Sequence, residues 1–207
     1  QYVGNPLVDE LPYDLTQEEA KKRLGIAKEQ DVISVFPGSR HTEIKMHVEI
    51  FSDALRRFLR ELPSTYSKPQ IVIPVAPTLK IENLKPLFDK FLPEARLYQG
   101  LSHECLKASR AALVKSGTST LEAGLLGVPM ILAYQASKSA TFLYHKLVRY
   151  DGYVGMVNLF LAKTAEEALG WTKDKGASPV VPELILEKCQ PELLASELLK
   201  IYVDGSD

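Results

Sequence analysis

The chain has 207 residues, 45% of them hydrophobic, with 25 Lys+Arg against 26 Asp+Glu and a formal net charge of −1. That length and apolar content suit one or two folded domains and exclude an intrinsically disordered chain. The charge balance excludes the basic surface that a general nucleic-acid grip requires. Cys105 and Cys189 stand far apart with no CxxC, which speaks against a disulfide framework or a zinc–cysteine site and for a reducing compartment. The longest apolar stretch, 124–134, contains Gly127 and Pro129 and falls well short of the ~20 residues of a spanning helix. The chain opens on Gln1 rather than Met and shows no signal-peptide pattern, so the expectation is a piece of a longer protein.

Residues 1–15, with Gly4, Pro6 and Pro12, read as a loop or linker. Thr16-Gln17-Glu18-Glu19 has the capping-box pattern, and a short helix is expected to end at Gly25. A β-rich apolar run at 32–36 stops at Pro37-Gly38. From Ile44, apolar residues recur at Val48, Phe51, Leu55, Phe58, Leu59 and Leu62 with helical spacing. A second strand at 71–75 carries Pro74, which points to an edge position or a bulge. A helix fits 79–92, with Pro86 inside it as a break or kink. Further strands are expected at 95–98, 111–114 and 130–133, and a sixth at 156–159. Helices are expected at 102–109, 118–126 and 140–150, with a closing helix at 191–202.

Short strands alternating with longer helices predict βαβ units. The fold class is therefore α/β: a Rossmann-like parallel sheet with helices on both faces, here as the domain 16–207. Right-handed crossovers place every strand-to-helix loop on one edge, and ligands bind there, outside the carboxyl ends of the strands. The loops that matter are then 37–43, 76–80, 99–103, 115–120 and 134–139.

Two of these loops carry chemistry. In the first, a buried strand runs into Ser116-Gly117-Thr118-Ser119-Thr120 and then into a helix. Gly117 permits close backbone approach. The hydroxyls surround a helix start whose free N–H groups and positive dipole end suit a phosphate or diphosphate. Glu122, one turn in, suits ribose hydroxyls better than phosphate. The alternative is a plain helix cap in which Ser and Thr satisfy orphan N–H groups. In the second, Val35-Phe-Pro-Gly-Ser-Arg40-His-Thr-Glu43 follows the first strand. Gly38 and Ser39 leave the backbone free, and the planar fork of Arg40 fits a diphosphate. The alternative there is a surface arginine in a turn, with Glu43 as the acid at a helix start.

Elsewhere the signals are bland. His41, His47, His103 and His145 lack paired-ligand spacing, and no D-x-D pair offers to hold Mg²⁺. No metal site and no cofactor are expected. The stretch 137–150 mixes cations and aromatics on an apolar helix, which suits either an anionic lipid surface or ordinary packing with snorkelling Lys and Arg.

Taken in order, the motifs are Tyr2-Val-Gly-Asn-Pro-Leu, Phe36-Pro-Gly-Ser-Arg40-x-x-Glu43-Ile44, Lys115-Ser-Gly-Thr-x-Thr-Leu-Glu122, Val128-Pro-Met-Ile-Leu-Ala-Tyr134, Leu147-Val, Asn158-Leu and Val181-Pro-Glu-Leu184. This ordered set resembles the lipid-A-disaccharide synthase family, in the half of its two-domain GT-B fold that holds the nucleotide-sugar donor. The sequence departs from the family pattern at Asn5, at Gly155-Met156-Val157, at Leu186 and in an insertion-like run over 164–179.

The resemblance implies an inverting transfer from UDP-2,3-diacylglucosamine to 2,3-diacylglucosamine 1-phosphate (lipid X), with UDP-sugar as substrate and no cofactor. It implies a donor site made of Gly38, Ser39, Arg40, Glu43, Ser116, Gly117, Thr118, Ser119, Thr120, Glu122 and Asn158. Residues 1–15 would be the linker from an N-terminal domain that carries the catalytic base. The implied partners are that domain, the two lipid substrates, the cytoplasmic face of a Gram-negative inner membrane, and a second copy of the chain with exchanged C-terminal helices. Two other classes share parts of the pattern. One is a sibling GT-B enzyme that uses UDP-N-acetylglucosamine. The other is a non-catalytic flavodoxin-like or receiver module, which would want acids at its strand ends where this chain has Pro37-Gly38 and Lys115-Ser116.

Overall fold

A computed structural model describes residues 6–136, 152–162 and 179–206. Six strands form one all-parallel sheet: β1 (Val32–Phe36), β2 (Gln70–Val75), β3 (Arg96–Gln99), β4 (Ala111–Lys115), β5 (Met130–Tyr134) and β6 (Glu183–Ile185). Their spatial order is β3-β2-β1-β4-β5-β6. This is the doubly wound order, in which the chain turns back between β1 and β4 and leaves a crevice at their carboxyl ends.

Alternation along the strands builds two cores. Ile33, Val35, Leu113 and Ala133 face α3 (His41–Glu61), α4 (Ile81–Phe91) and α8 (Pro191–Val203). Val32, Phe36, Val114 and Leu132 face the other way, toward α2 (Gln17–Arg23), α5 (Ser102–Ala108) and α6 (Thr118–Leu125). The spacing from Ile44 to Phe58 puts one stripe of α3 on the sheet. Phe58 meets Tyr202 of α8 edge-on, with ring centroids 5.2 Å apart. Across the sheet's lower edge, the Tyr202 hydroxyl donates to Asp31 Oδ2 at 2.9 Å, and Arg110 Nε donates to the Tyr202 carbonyl at 2.8 Å.

Most expected elements are found within a residue or two, and the differences have local causes. Thr16 caps α2 as expected, its Oγ1 accepting from the Glu19 N–H at 3.2 Å, and Gly25 ends the turn with φ +64°. Where the sequence reads as a loop, α1 (Pro6–Glu10) is a short helix, and Leu11 and Leu15 after it are buried. Pro86 lies inside α4 without ending it. Pro74 is not on an edge strand, because β2 lies between β1 and β3. Gln70 donates its N–H to Asp31 before β1, and Val75 accepts from Gly100 after β3. Alternation therefore turns Pro74's nitrogen toward β1, beyond the last registered pair, Ser34–Val72, so no ladder bond is lost.

The expected strand at 156–159 is instead a helix, α7 (Met156–Leu161). The sixth strand is β6, which the sequence reading leaves without an element. The Glu183 carboxylate explains both. It accepts the N–H of Val154 at 2.8 Å and of Gly155 at 2.9 Å, and so fixes the residues just before α7 while its own backbone pairs with Leu132. A Cβ at Gly155 would lie 2.6 Å from Leu132 Cδ1, so any larger residue there makes the Leu132 side chain move. The helix expected at 140–150, the cation-rich stretch that holds it and most of the run 164–179 lie outside the described residues.

Asn158 locks this corner. It is buried, and both polar atoms of its amide are bonded. Oδ1 accepts from the Val181 N–H at 2.9 Å, and Nδ2 donates to the Val181 carbonyl and to Glu183 Oε1, each at 2.8 Å. Asn158→Ala leaves buried donors and acceptors unpaired, and chemical denaturation should show a loss of about 2–3 kcal/mol. Ser34 presents the opposite case: its hydroxyl is fully buried without a partner among the described residues. Ser34→Ala should hold or raise the unfolding midpoint in the same measurement, since nothing is broken and an unpaired polar group is removed.

Candidate functional site

A cavity of 390 Å³ opens at the carboxyl ends of β1, β2 and β4. The loop after β1 contributes Gly38, Ser39 and Arg40, and the first turn of α3 contributes Glu43. The end of β4 contributes Lys115, the loop after it Ser116 and Gly117, and α6 contributes Thr118, Ser119 and Glu122. Ala76, Pro77, Gly100 and Ser102 close the third side. Nine of the eleven residues singled out in the sequence thus line one cavity.

The other two do not. Thr120 is buried, and its hydroxyl donates to the Gly117 carbonyl at 2.6 Å, where it shapes the start of α6 instead of facing a ligand. Asn158 sits at the α7–β6 junction with every polar atom engaged, outside the lining.

The start of α6 has the features of an anion seat. Its cap, Gly117, makes no side-chain cap bond. The first N–H groups of a helix have no intrahelical acceptor, and they carry the positive end of its dipole. A Cβ at Gly117 would meet only the Lys115 carbonyl oxygen, at an ordinary 3.9 Å. The fold itself does not demand glycine here, so what glycine preserves is open space.

The β1 loop is built differently. Gly38 has φ +136°, and a Cβ there would fall 2.5 Å from Glu43 Cβ. Glu43 curls back over this glycine. Its Oε2 accepts the Ser39 N–H at 3.0 Å, while Oε1 accepts from Arg40 Nη1 at 2.9 Å and from Lys115 Nζ at 3.2 Å. Burial works against the charged form of Glu43, but the Ser39 N–H, Lys115 and Arg40 outweigh it and hold the carboxyl below its ordinary range. Glu43 is therefore a linchpin between the two loops. Arg40 keeps 77% of its side chain exposed and remains free to turn to a ligand.

Glu122 is the other acid of the lining. Burial raises its pKa, and His103 pulls the other way. His47, which the sequence reading treats as bland, is buried behind the site. Its Nδ1 donates to the Glu43 carbonyl at 2.8 Å, and its Nε2 accepts from the Gln135 N–H at 3.0 Å. The sequence reading also gives Lys115 no role, although a lysine closing an otherwise apolar strand was the available signal. Among the described residues, no group of His, Cys, Asp and Glu is placed to hold a metal ion, and no helix is long and apolar enough to cross a membrane.

Comparison with known proteins bears on the fold and the family. The ADP-heptose LPS heptosyltransferase II of E. coli superposes over the whole chain and 54% of its own, with a TM-score of 0.54 at 11% identity. That likeness shows a shared GT-B-type fold. The lipid-A-disaccharide synthase of Myxococcus xanthus is 31% identical over 206 residues, and that of Francisella philomiragia is 32% identical over 209. The chain spans about half the length of these curated relatives, 49% in both cases. A family profile described as lipid-A-disaccharide synthetase matches residues 1–207 in full, and the chain belongs to that family.

Proposed function

We propose that this chain is the donor-binding half of an inverting glycosyltransferase that joins UDP-2,3-diacylglucosamine to 2,3-diacylglucosamine 1-phosphate. The observation that carries the reading is the convergence of the Arg40 loop and the α6 start on one cavity at the strand reversal. In this reading the donor's diphosphate lies between Arg40 and the Gly117–Ser119 turn, the Ser39 N–H being committed to Glu43. Glu122, one turn into α6, accepts hydrogen bonds from the ribose.

The chemistry follows from where charge develops. The acceptor's 6-hydroxyl oxygen forms a bond to C1 of the donor sugar, from the face opposite the leaving group. The bond from C1 to the diphosphate oxygen breaks, and its electron pair leaves with UDP. The hydroxyl proton passes to a base on the N-terminal half of the enzyme. Arg40 and the helix start meet the growing charge on the leaving UDP, so the reading assigns the step no metal or cofactor. By itself this half binds UDP without turning over.

The partners in this reading are the two lipids, the N-terminal half, a second copy of the chain and the inner-membrane surface of a Gram-negative bacterium, met from the cytoplasm. Exposed Phe160, Leu161 and Val180 around α7 support a face that is covered in the complete enzyme.

Isothermal titration with UDP tests the reading. The chain should bind UDP. Arg40→Ala should weaken binding about 10- to 100-fold, the range of a charged hydrogen bond. Gly117→Val should abolish it while the unfolding midpoint holds, because the fold leaves room there. No heat from the unaltered chain at millimolar UDP would sink the proposal. Titration with uridine across pH gives a second test, free of phosphate ionisation. Glu122 has a raised pKa, so it gains its proton earlier than an ordinary carboxyl as pH falls. Uridine affinity should therefore start to drop above the usual carboxylate range, and Glu122→Gln should flatten that profile. A profile identical in the two proteins removes Glu122 from the ribose.

A further inference from the structure

We infer that Lys115 is a second cation for the donor's anionic linkage, held on Glu43 until that anion arrives. The inference rests on the diphosphate reading above and adds a residue that the reading does not use. Lys115 closes β4, and alternation puts its side chain on the Leu113 face, toward α3. Only 16% of that side chain is exposed, yet it lines the cavity. Its Nζ lies 3.2 Å from Glu43 Oε1 and 5.6 Å from the centre of the Tyr134 ring.

The charge count at this point decides the argument. Glu43 Oε1 receives Lys115 from one loop and Arg40 from the other, so one negative charge faces two positive ones. The remaining acid of the lining, Glu122, stands on α6, and among the described residues the ion pair of Lys115 is with Glu43. A shielded ammonium is costly unless anionic oxygens surround it, and Glu43 supplies half of what the two cations can use. A diphosphate entering between the loops supplies the rest. The exchange needs no backbone movement. Glu43 keeps the Ser39 N–H on Oε2, so the β1 loop holds its shape while the lysine stem rotates. The lysine sits directly before Ser116-Gly117, where its head reaches the same anion as the α6 start.

Titration of the whole chain with UDP and with uridine separates this role from a merely structural ion pair. Lys115→Met should lower UDP affinity about tenfold or more and leave uridine affinity unchanged, while Lys115→Arg retains most UDP binding. The loss should persist in a Glu43→Gln background, where no ion pair is left to break. Should Lys115→Met prove unfolded in a thermal melt, Lys115→Gln takes its place in both backgrounds. Equal losses for UDP and uridine, or a UDP loss that vanishes with Glu43→Gln, would overturn the inference. An unaltered chain that binds neither UDP nor uridine would instead overturn the function proposed above, and this inference with it.

Discussion

The geometry of the site depends on one carboxylate. Glu43 is the third residue of α3, and both of its oxygens are committed. One fixes the β1 loop through the Ser39 N–H, and the other gathers Arg40 from the β1 loop and Lys115 from the end of β4. Its own carbonyl takes the His47 Nδ1 proton, and His47 in turn accepts the Gln135 N–H after β5. A single turn of α3 thus ties together the exits of three strands. Each partner is in the protonation form the network needs. The hydrogen bonds and cations around Glu43 overcome its burial and keep it ionised, while burial keeps His47 neutral. The glycine at 38 follows from the same arrangement, because the space a Cβ would take is already filled by Glu43.

The sheet order explains why this turn stands beside the β4 loop. The chain builds β1, β2 and β3 in one direction, then returns through α5 to place β4 on the free side of β1. The helices that follow β1 and β4 lie on opposite faces, since Ile44, Val48 and Phe51 of α3 belong to one core and Ala123 of α6 to the other. Two loops that leave adjacent strands for opposite faces must part, and the gap between them is the cavity. Lys115 bridges that gap from below to reach Glu43.

Much of this was legible in the chain because the relevant signals are local. Buried parallel strands read as short apolar runs, and the two loops announce themselves with Gly-Ser and Ser-Gly-Thr. The parts that were not legible depend on tertiary partners. Residues 156–159 are apolar enough for a strand, but the Glu183 carboxylate, distant in sequence, fixes Val154 and Gly155 where a helix begins. β6 has only three residues and follows Pro182, too little for periodicity to register. Thr120 looks like its neighbours in sequence, and only the geometry shows its hydroxyl turned to the Gly117 carbonyl. Asn158 stands out as a polar residue in an apolar run, and a buried amide matched to one backbone N–H and one carbonyl accounts for it without a ligand.

The charges of the lining bear on selectivity. Arg40 and Lys115 oppose Glu43 and Glu122, so the formal sum is zero, and net attraction cannot be what draws an anion in. Position must do it. Glu43 is surrounded by its own donors, and its field is spent on them. Glu122 lies four residues past Thr118 on α6, about 6 Å along the axis at 1.5 Å per residue. Within that length the surface passes from the first N–H groups of the helix to the Glu122 carboxylate. A plain dianion gains at the first end and is repelled at the second. A nucleoside diphosphate gains at both, because its phosphates and its hydroxyls follow the same order. In the function proposed above, the acid that lowers the site's overall positive charge therefore raises its discrimination for a nucleotide over a plain anion.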